Sequence, residues 1–485
     1  MNNRYLFLVP LLIIVYFFIH NTLENFYFLN PGLIAITIAK YFIIIAALFF
    51  AGYAFFKNRI KFTFIFSGLL FMFLFFGNIA DTIDKYLITQ SSFFLKILRE
   101  SLLGSLFIVV LILPKFWNQI KLKKFISFWI IYCSTLIVYD TFHFIAFPPK
   151  EKKYFSKAVK NINLDSAASK PDVFFLLFDM YPSDSIFKNY LHFDNHALRD
   201  FLNQKGFYTS SNSTSLYDHT FHSLSSTLNL DTLDYYYDSS LAEYKKNLIS
   251  IKKTENSLLI NSFKNAGYEI NNYSVFKLDN KSSPLKFNLE SYIGNNYTAS
   301  TLFNRIYNNF DPDGFETSKR IPFLNFIKSS WSDDVQRDNA FLYKSFENIL
   351  QQQTKPAFNY FHFEIPHPPF IFDSSGNLQN LKSMYETSDV NKRIERYVSY
   401  TKYGNQLITK MITKILERYN GNAVIILQGD HGYREYANIF PEQVRNGILN
   451  AVYLPSKNYD NFHDSMQPVY TFKQILKNQF KTTVN

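Results

Sequence analysis

The sequence holds a single cysteine, Cys133, in 485 residues. Disulfide staples are therefore excluded, and because Cys133 lies in an apolar run, thiol chemistry is excluded from the polar part of the chain. Glycine is scarce, at 15 residues, which rules out glycine-rich and collagen-like segments, and no internal repeat is visible. Charge is nearly missing from long stretches of the first 147 residues. Abundance lies elsewhere: 54 Phe and 34 Tyr. Residues 1–147 are dominated by Phe, Ile and Leu, whereas the rest reads as a mixed globular sequence. This contrast predicts a membrane anchor joined to a soluble domain.

Five apolar segments approach the length needed to cross a bilayer: Tyr5–His20, Leu33–Phe56, Phe62–Ile79, Phe93–Pro114 and Phe125–Phe147. No small-residue cleavage site follows the first, so it reads as a retained span. Lys57, Arg59 and Lys61 follow the second segment, and Lys115, Lys121, Lys123 and Lys124 follow the fourth. The loop Asn21–Gly32 has no basic residue, and the loop after the third segment has only Lys85 beside Asp81 and Asp84. Basic residues mark cytoplasmic loops, so the N-terminus is expected inside and the large domain outside. Cytosolic substrates such as ATP are then out of reach. The net charge of +11 is partly this topological signal, and it favours a membrane surface over nucleic acid. Lys40, Lys96, Arg99, Glu100, Asp140 and His143 sit inside apolar segments, towards their outer ends. They either snorkel to the interface or meet lipid headgroups.

Residues 148–170 are polar and lack hydrophobic periodicity, as a linker does. The domain 171–485 opens with "DVFFLLFD", a continuous apolar run typical of a strand buried on both faces. Similar runs recur at Ala357–Phe363, Ala423–Asp430 and Gly447–Leu454. Helical patterns lie between them at His196–Gln204, Ser257–Ala266 and Arg393–Tyr419. Alternation of this kind predicts an α/β domain with a mostly parallel central sheet and a site beyond the carboxyl ends of its strands. Lys277–Arg337 shows little pattern and reads as a long surface excursion.

Two of these strands end in acids. Asp179 closes the first, and Asp430 closes "AVIILQGD", followed at once by His431 and Gly432. Each Asp can be a helix cap. Carboxylate and imidazole side by side also suit a divalent metal, zinc or manganese. In "SLYDHTFHSLSSTLNL" Asp218 reads as an N-cap, with Phe221, Leu224 and Leu228 at helical spacing. Thr220 then falls in the first turn, as a further capping residue or as a nucleophile favoured by the positive helix end. The serines after it read as helix packing. In "YFHFEIPHPPF", His362 reads as buried in a strand, and His367 as a surface residue or one that reaches a phosphoryl oxygen. Arg445 is either an ordinary surface arginine or an anion ligand.

The order of Asp179, Thr220, "IPHPPF" and "GDHG" resembles the alkaline phosphatase/sulfatase superfamily. The layout is similar to its membrane-anchored extracytoplasmic phosphotransferases, the phosphoethanolamine transferases and lipoteichoic acid synthases. The resemblance implies five transmembrane helices before an alkaline-phosphatase-like α/β domain in a bacterial cytoplasmic membrane, with the domain facing outward. It implies that Asp179, Thr220, Asp430 and His431 bind one divalent metal, zinc in preference to manganese. Thr220 would double as the nucleophile and His367 would contact the transferred group, with Arg445 as a further candidate for substrate. The implied reaction moves a phospho-headgroup from a phospholipid donor to a surface glycan or glycolipid through a phospho-threonine. The alternatives are a phosphoester hydrolase and an inactive receptor or assembly module. Thr220 is followed by "FHSLSS" rather than the formylglycine motif of sulfatases, which argues against sulfate-ester hydrolysis by that route. Met180 after Asp179 replaces the frequent second Asp, which favours one metal over two.

Overall fold

In the computed structural model, residues 5–87, 93–155, 162–164, 170–305, 331–352, 355–380, 389–436 and 438–482 are described. The chain divides into two compact units. One comprises 1–153 with 291–320, the other 154–290 with 321–485.

In the first unit the apolar segments are helical: α1 (Leu8–Glu24), α2 (Pro31–Phe55), α3 (Arg59–Leu74), α4 (Phe76–Leu87), α5 (Phe93–Phe116) and α6 (Gln119–Ala146). Of the described helices, α2 and α6 are long and apolar enough to cross a membrane, and α3 with α4, bent by 64°, can make a third span. Helix α1 is apolar but has only 17 residues, and α5 carries Lys96, Arg99 and Glu100 near its start. Ile43 and Leu48 on α2 and Ile131 and Val138 on α6 are at least 60% exposed, as expected of surfaces that face lipid. Inside the unit, Val9, Ile13 and Phe17 pack with Phe64, Leu74, Leu122, Ile126 and Cys133.

Three of the ionisable residues in the apolar segments, Asp140, Arg99 and Glu100, have protein partners. Asp140 Oδ2 lies 2.8 Å from His20 Nδ1, which joins α6 to α1, and Arg99 donates to Asp84 at 3.0 Å and to Glu100 at 2.6 Å. Lys40 and His143 are exposed, and the Lys96 side chain lies outside the described residues.

The expected surface excursion, Lys277–Arg337, is helical at Leu289–Tyr297 and, at its end, within Trp331–Gln352, while 306–330 lie outside the described residues; residues 291–305 belong to this first unit. Tyr297 is buried, with its hydroxyl 2.9 Å from that of Thr22 and its ring stacked on Phe18. Gly77 N–H donates to the Ser300 carbonyl at 2.7 Å, and Arg305 pairs with Asp81. These are contacts that hydrophobic periodicity does not encode.

The second unit is built on a six-stranded sheet: β1 (Asp172–Phe178), β2 (Tyr208–Ser210), β3 (Glu269–Tyr273), β4 (Ala357–Phe363), β5 (Ala423–Gly429) and β6 (Asn450–Tyr453), in the order β2-β6-β5-β1-β4-β3. Pairs β1/β4, β1/β5 and β3/β4 are parallel, whereas β6 runs antiparallel to β5 and β2. Every residue of β1, β4 and β5 is buried, which is why they read as continuous apolar runs. Phe178 pairs with both Gly429 and Phe363, so the next residues, Asp179, Asp430 and Glu364, leave the sheet at one level. Helices cover the sheet, among them α7 (His196–Gln204), α8 (Thr220–Asn229), α9 (Glu243–Glu255), α10 (Leu258–Asn265), α11 (Val390–Arg418) and α12 (Pro468–Phe480).

Phe175 is fully buried between Tyr360 (ring centroids 4.8 Å apart) and Phe472 (5.3 Å). Phe175→Ala removes the ring that joins β1, β4 and α12. It should cost about 3–5 kcal/mol of stability, read as a lowered midpoint in denaturant or thermal unfolding of the full-length protein.

Candidate metal and nucleophile site

The corner of the site is set by backbone geometry. Asp179 N–H still donates to the Phe363 carbonyl of β4 at 2.9 Å, and the chain then turns at Met180, whose φ is +59°. Asp430 Oδ1 accepts from the backbone N–H groups of Met180 (3.0 Å) and His431 (2.9 Å). With Oδ1 so held, Oδ2 is turned inward. His431 Nδ1–H donates to the Gly432 carbonyl at 2.8 Å, which leaves Nε2 as the lone-pair nitrogen. Nε2 lies 3.5 Å from Asp179 Oδ1 and 3.6 Å from Asp430 Oδ2.

These three atoms carry the chemistry. Asp179 Oδ1, Asp430 Oδ2 and His431 Nε2 are buried and have no hydrogen-bond partner. Buried acceptors without donors are costly, and two carboxylates with an imidazole lone pair make a donor set for a divalent cation. Zinc fits such ligands, and the site therefore passes the chemical test for one. Burial pushes His431 below its usual imidazole range, against the carboxylates of Asp430 and Asp179. Burial alone would raise the Asp179 carboxyl, but His367, His362 and His431 outweigh it and hold the group well below the usual carboxylate range.

His362 is a member that the sequence did not reveal. As expected of a strand residue it is buried, yet its Nε2 lies 3.3 Å from Asp179 Oδ2. Asp179, His362 and Asp430 each offer a ligand atom within 4.8 Å of the others. The available signal was a lone polar side chain near the end of an apolar run, but its meaning depends on β4 lying beside β1. His367, between cis peptide bonds at Ile365-Pro366 and Pro368-Pro369, donates from Nδ1 to the Pro368 carbonyl at 2.7 Å and acts electrostatically on Asp179. Glu364, one residue past β4, is buried, and burial, Asp179 and Asp338 push its carboxyl well above the usual range.

Thr220 is the first residue of α8 and is half-buried. One turn on, Ser223 Oγ donates to the Asp430 carbonyl at 2.6 Å and so ties this helix to the metal corner. Ser223, Ser225 and Ser226 are all buried. The expected cap is corrected: the N-cap residue is His219, and no side chain caps the helix. Asp218 instead lies 2.9 Å from His219 Nδ1 and 3.2 Å from Arg445 Nε, and those two partners hold its carboxyl down at about 2. Arg445 is thus placed two residues from Thr220 by an ion pair. Its own carbonyl accepts from Gly432 N–H at 2.6 Å. A Cβ at Gly432 would lie 2.3 Å from the Val444 carbonyl oxygen and 2.5 Å from that of Gly447, so only glycine fits between these backbones.

Asp430→Asn and His431→Ala should each lower bound zinc at least about tenfold, read by elemental analysis of the purified full-length protein. Chelation of the wild type should lower its melting temperature, because a ligand bound only to the folded state stabilises it. Unchanged metal content in both variants would contradict the ligand assignment.

No curated protein matches the chain. Among solved structures, lipooligosaccharide phosphoethanolamine transferase A from Neisseria meningitidis is 13% identical, with 98% of this chain and 95% of that chain covered, at a TM-score of 0.39. The C-terminal periplasmic domain of EptC from Escherichia coli, in complex with zinc, is 11% identical over 66% of this chain and 86% of that chain, with a TM-score of 0.40. A sulfatase from Bacteroides fragilis, itself described as putative, is 14% identical over 64% and 74%, with a TM-score of 0.39. A sequence model of the sulfatase family matches residues 171–469, well over half of the chain and all of the metal and nucleophile corner, and the protein belongs to that family.

Proposed function

We propose that the protein is a membrane-anchored, metal-dependent transferase that moves a phospho-headgroup from a phospholipid to a surface glycan or glycolipid through Thr220. The observation that carries this reading is the trio of buried, unpartnered acceptors on Asp179, Asp430 and His431, beside the helix that Thr220 begins. Membership of the sulfatase family supports phosphoester transfer or hydrolysis. Thr220 in place of the formylglycine motif argues against sulfate-ester hydrolysis by that route and suits a stable phospho-threonine diester.

Asp179, Thr220, Asp430 and His431 would hold a divalent cation, which would supply Lewis-acid stabilisation of the threonine alkoxide and of a phosphoryl oxygen. The chain's own residues account for the rest. Thr220 Oγ forms a bond to phosphorus as the phosphorus–oxygen bond to diacylglycerol breaks, and the departing alkoxide takes a proton from solvent. The N-terminus of α8 favours negative charge at that position. His367 and Arg445 contact the phosphoryl oxygens, with Asp218 setting the Arg445 guanidinium near Thr220. An acceptor hydroxyl then forms the second bond to phosphorus while the Thr220 Oγ–phosphorus bond breaks, and its proton passes to solvent. Five crossings with Lys57, Arg59, Lys61 and Lys115–Lys124 inside would put this domain on the outer face of a bacterial cytoplasmic membrane. A phospholipid is the phosphoryl donor at hand there.

The test is mass spectrometry of the full-length protein, loaded with zinc and incubated in nanodiscs with headgroup-labelled phospholipids. Label should be found on Thr220 and be absent in Thr220→Ala. No adduct and no lipid turnover with any headgroup would overturn the reading. Turnover that is indifferent to added glycan would convert it to a hydrolase.

A further inference from the structure

Beside Thr220 the chain exposes aromatic surface that the metal corner does not use. The 3-10 turn Asp234–Tyr237 presents three consecutive tyrosines to three different environments. Tyr235 is fully buried, with its hydroxyl 3.1 Å from Ser225 Oγ and 2.9 Å from Ser250 Oγ. Tyr236 packs edge-on against Tyr217 (centroids 4.7 Å apart) and His222 (4.9 Å). Tyr237 stands perpendicular to Tyr236 at 5.2 Å and is 75% exposed.

The mount is rigid. Tyr154 donates to Asp238 Oδ2 at 2.7 Å, Leu233 N–H donates to the Tyr217 hydroxyl at 2.8 Å, and Tyr235 N–H donates to Asp234 Oδ1 at 3.0 Å. The turn thus holds an exposed ring, Tyr237, in a fixed position next to the half-buried Tyr236, a geometry that can take a flat ligand face. Behind the ring, His222 is 1% exposed and its Nε2 has no hydrogen-bond partner. That nitrogen lies 3.6 Å from the Glu243 carboxylate, which is itself largely exposed, and its ring partner Nδ1 is 2.7 Å from Ser250 Oγ.

We propose that Tyr236 and Tyr237, backed by His222 and Glu243, form the subsite that holds a sugar ring of the acceptor beside Thr220. Sugar C–H groups are weakly electropositive and stack on the negative face of an aromatic ring. Sugar hydroxyls donate to a carboxylate, here the exposed Glu243, while the buried His222 supports the Tyr236 ring from behind. Charge selects this occupant over an anionic lipid surface. Residues 231–246 carry four carboxylates, Asp231, Asp234, Asp238 and Glu243, against Lys245 and Lys246; Lys246 lies 3.7 Å from Glu243 and 5.7 Å from the Tyr236 ring centre, which leaves the exposed Tyr237 as the free stacking face. An anionic headgroup would be repelled there, whereas a neutral sugar is not. What the bound sugar does rests on the transferase reading; that it binds does not.

Saturation-transfer NMR on the full-length protein in phosphatidylglycerol nanodiscs, with glucose, galactose and N-acetylglucosamine as probes, tests the subsite. At least one sugar should give signals with wild type, with Tyr237→Trp and with Thr220→Ala. Tyr237→Ala, a change at an exposed ring, should weaken them about tenfold. Retention of sugar binding in Thr220→Ala keeps this result separate from any failure of Thr220 chemistry. No sugar signal with wild type, or equal signals with Tyr237→Ala, would overturn the proposal. Tyr237-dependent signals from the phosphatidylglycerol headgroup in place of sugar would do the same and assign the ledge to lipid.

Discussion

Two buried carboxylates and an imidazole nitrogen, all acceptors, are packed within 3.6 Å of that nitrogen without a donor among them. Such a cluster is tolerable only if a cation neutralises it, because each acceptor has given up water and received nothing in return. Much of the surrounding structure keeps these atoms in place. The level register of β1, β4 and β5 brings their ends together. Two backbone N–H groups fix Asp430, the Gly432 carbonyl fixes the His431 tautomer, and the absence of a side chain at Gly432 lets the next segment close over them. Thr220, the proposed nucleophile, comes from a different layer, a helix tied to the corner through Ser223.

On the proposed reading, that division of labour lets one fold serve different nucleophiles. The acids and imidazoles belong to strand ends, whose positions are fixed by the core of the sheet. Thr220 belongs to a helix start, on an element separate from the strands that carry the buried acceptors. A family framework of this kind fixes the charge-bearing corner and leaves the attacking group and the partners it meets to vary, so chemistry has to be read from the site.

Legibility in the sequence followed the range of the interactions. The runs Asp172–Phe178, Ala357–Phe363 and Ala423–Gly429 are strands because full burial demands unbroken apolarity, and that demand is written locally. Helix His196–Gln204 matches its periodicity residue for residue. The Asp-His-Gly step was legible because its members are adjacent in the chain. His362 was not, since its closeness to Asp179 depends on the pairing of β4 with β1, strands separated by some 180 residues. The antiparallel direction of β6 and the short edge strand β2 likewise depend on partners that no local pattern names. Asp218 looked like a helix cap by position, but ion pairing with Arg445 and a hydrogen bond with His219 draw its carboxylate away. In the apolar region, His20 opposite Asp140 is again a pairing across more than a hundred residues.

The segment 291–305 has a consequence for how the protein is made. It lies in the sequence after β3 of the sheet-bearing unit, yet Tyr297 and Ser300 complete the packing of α1 and of the α3–α4 bend, and Arg305 supplies a charge partner for Asp81. During synthesis the apolar helices emerge first and must wait, with Tyr297's place open and Asp81 unpaired, until the chain has been carried at least as far as residue 305. Completion of the helical unit is thereby linked to synthesis of the first part of the sheet-bearing unit. A chain that ends after Ala146 lacks the hydroxyl partner of Thr22, the backbone acceptor of Gly77 and the charge partner of Asp81.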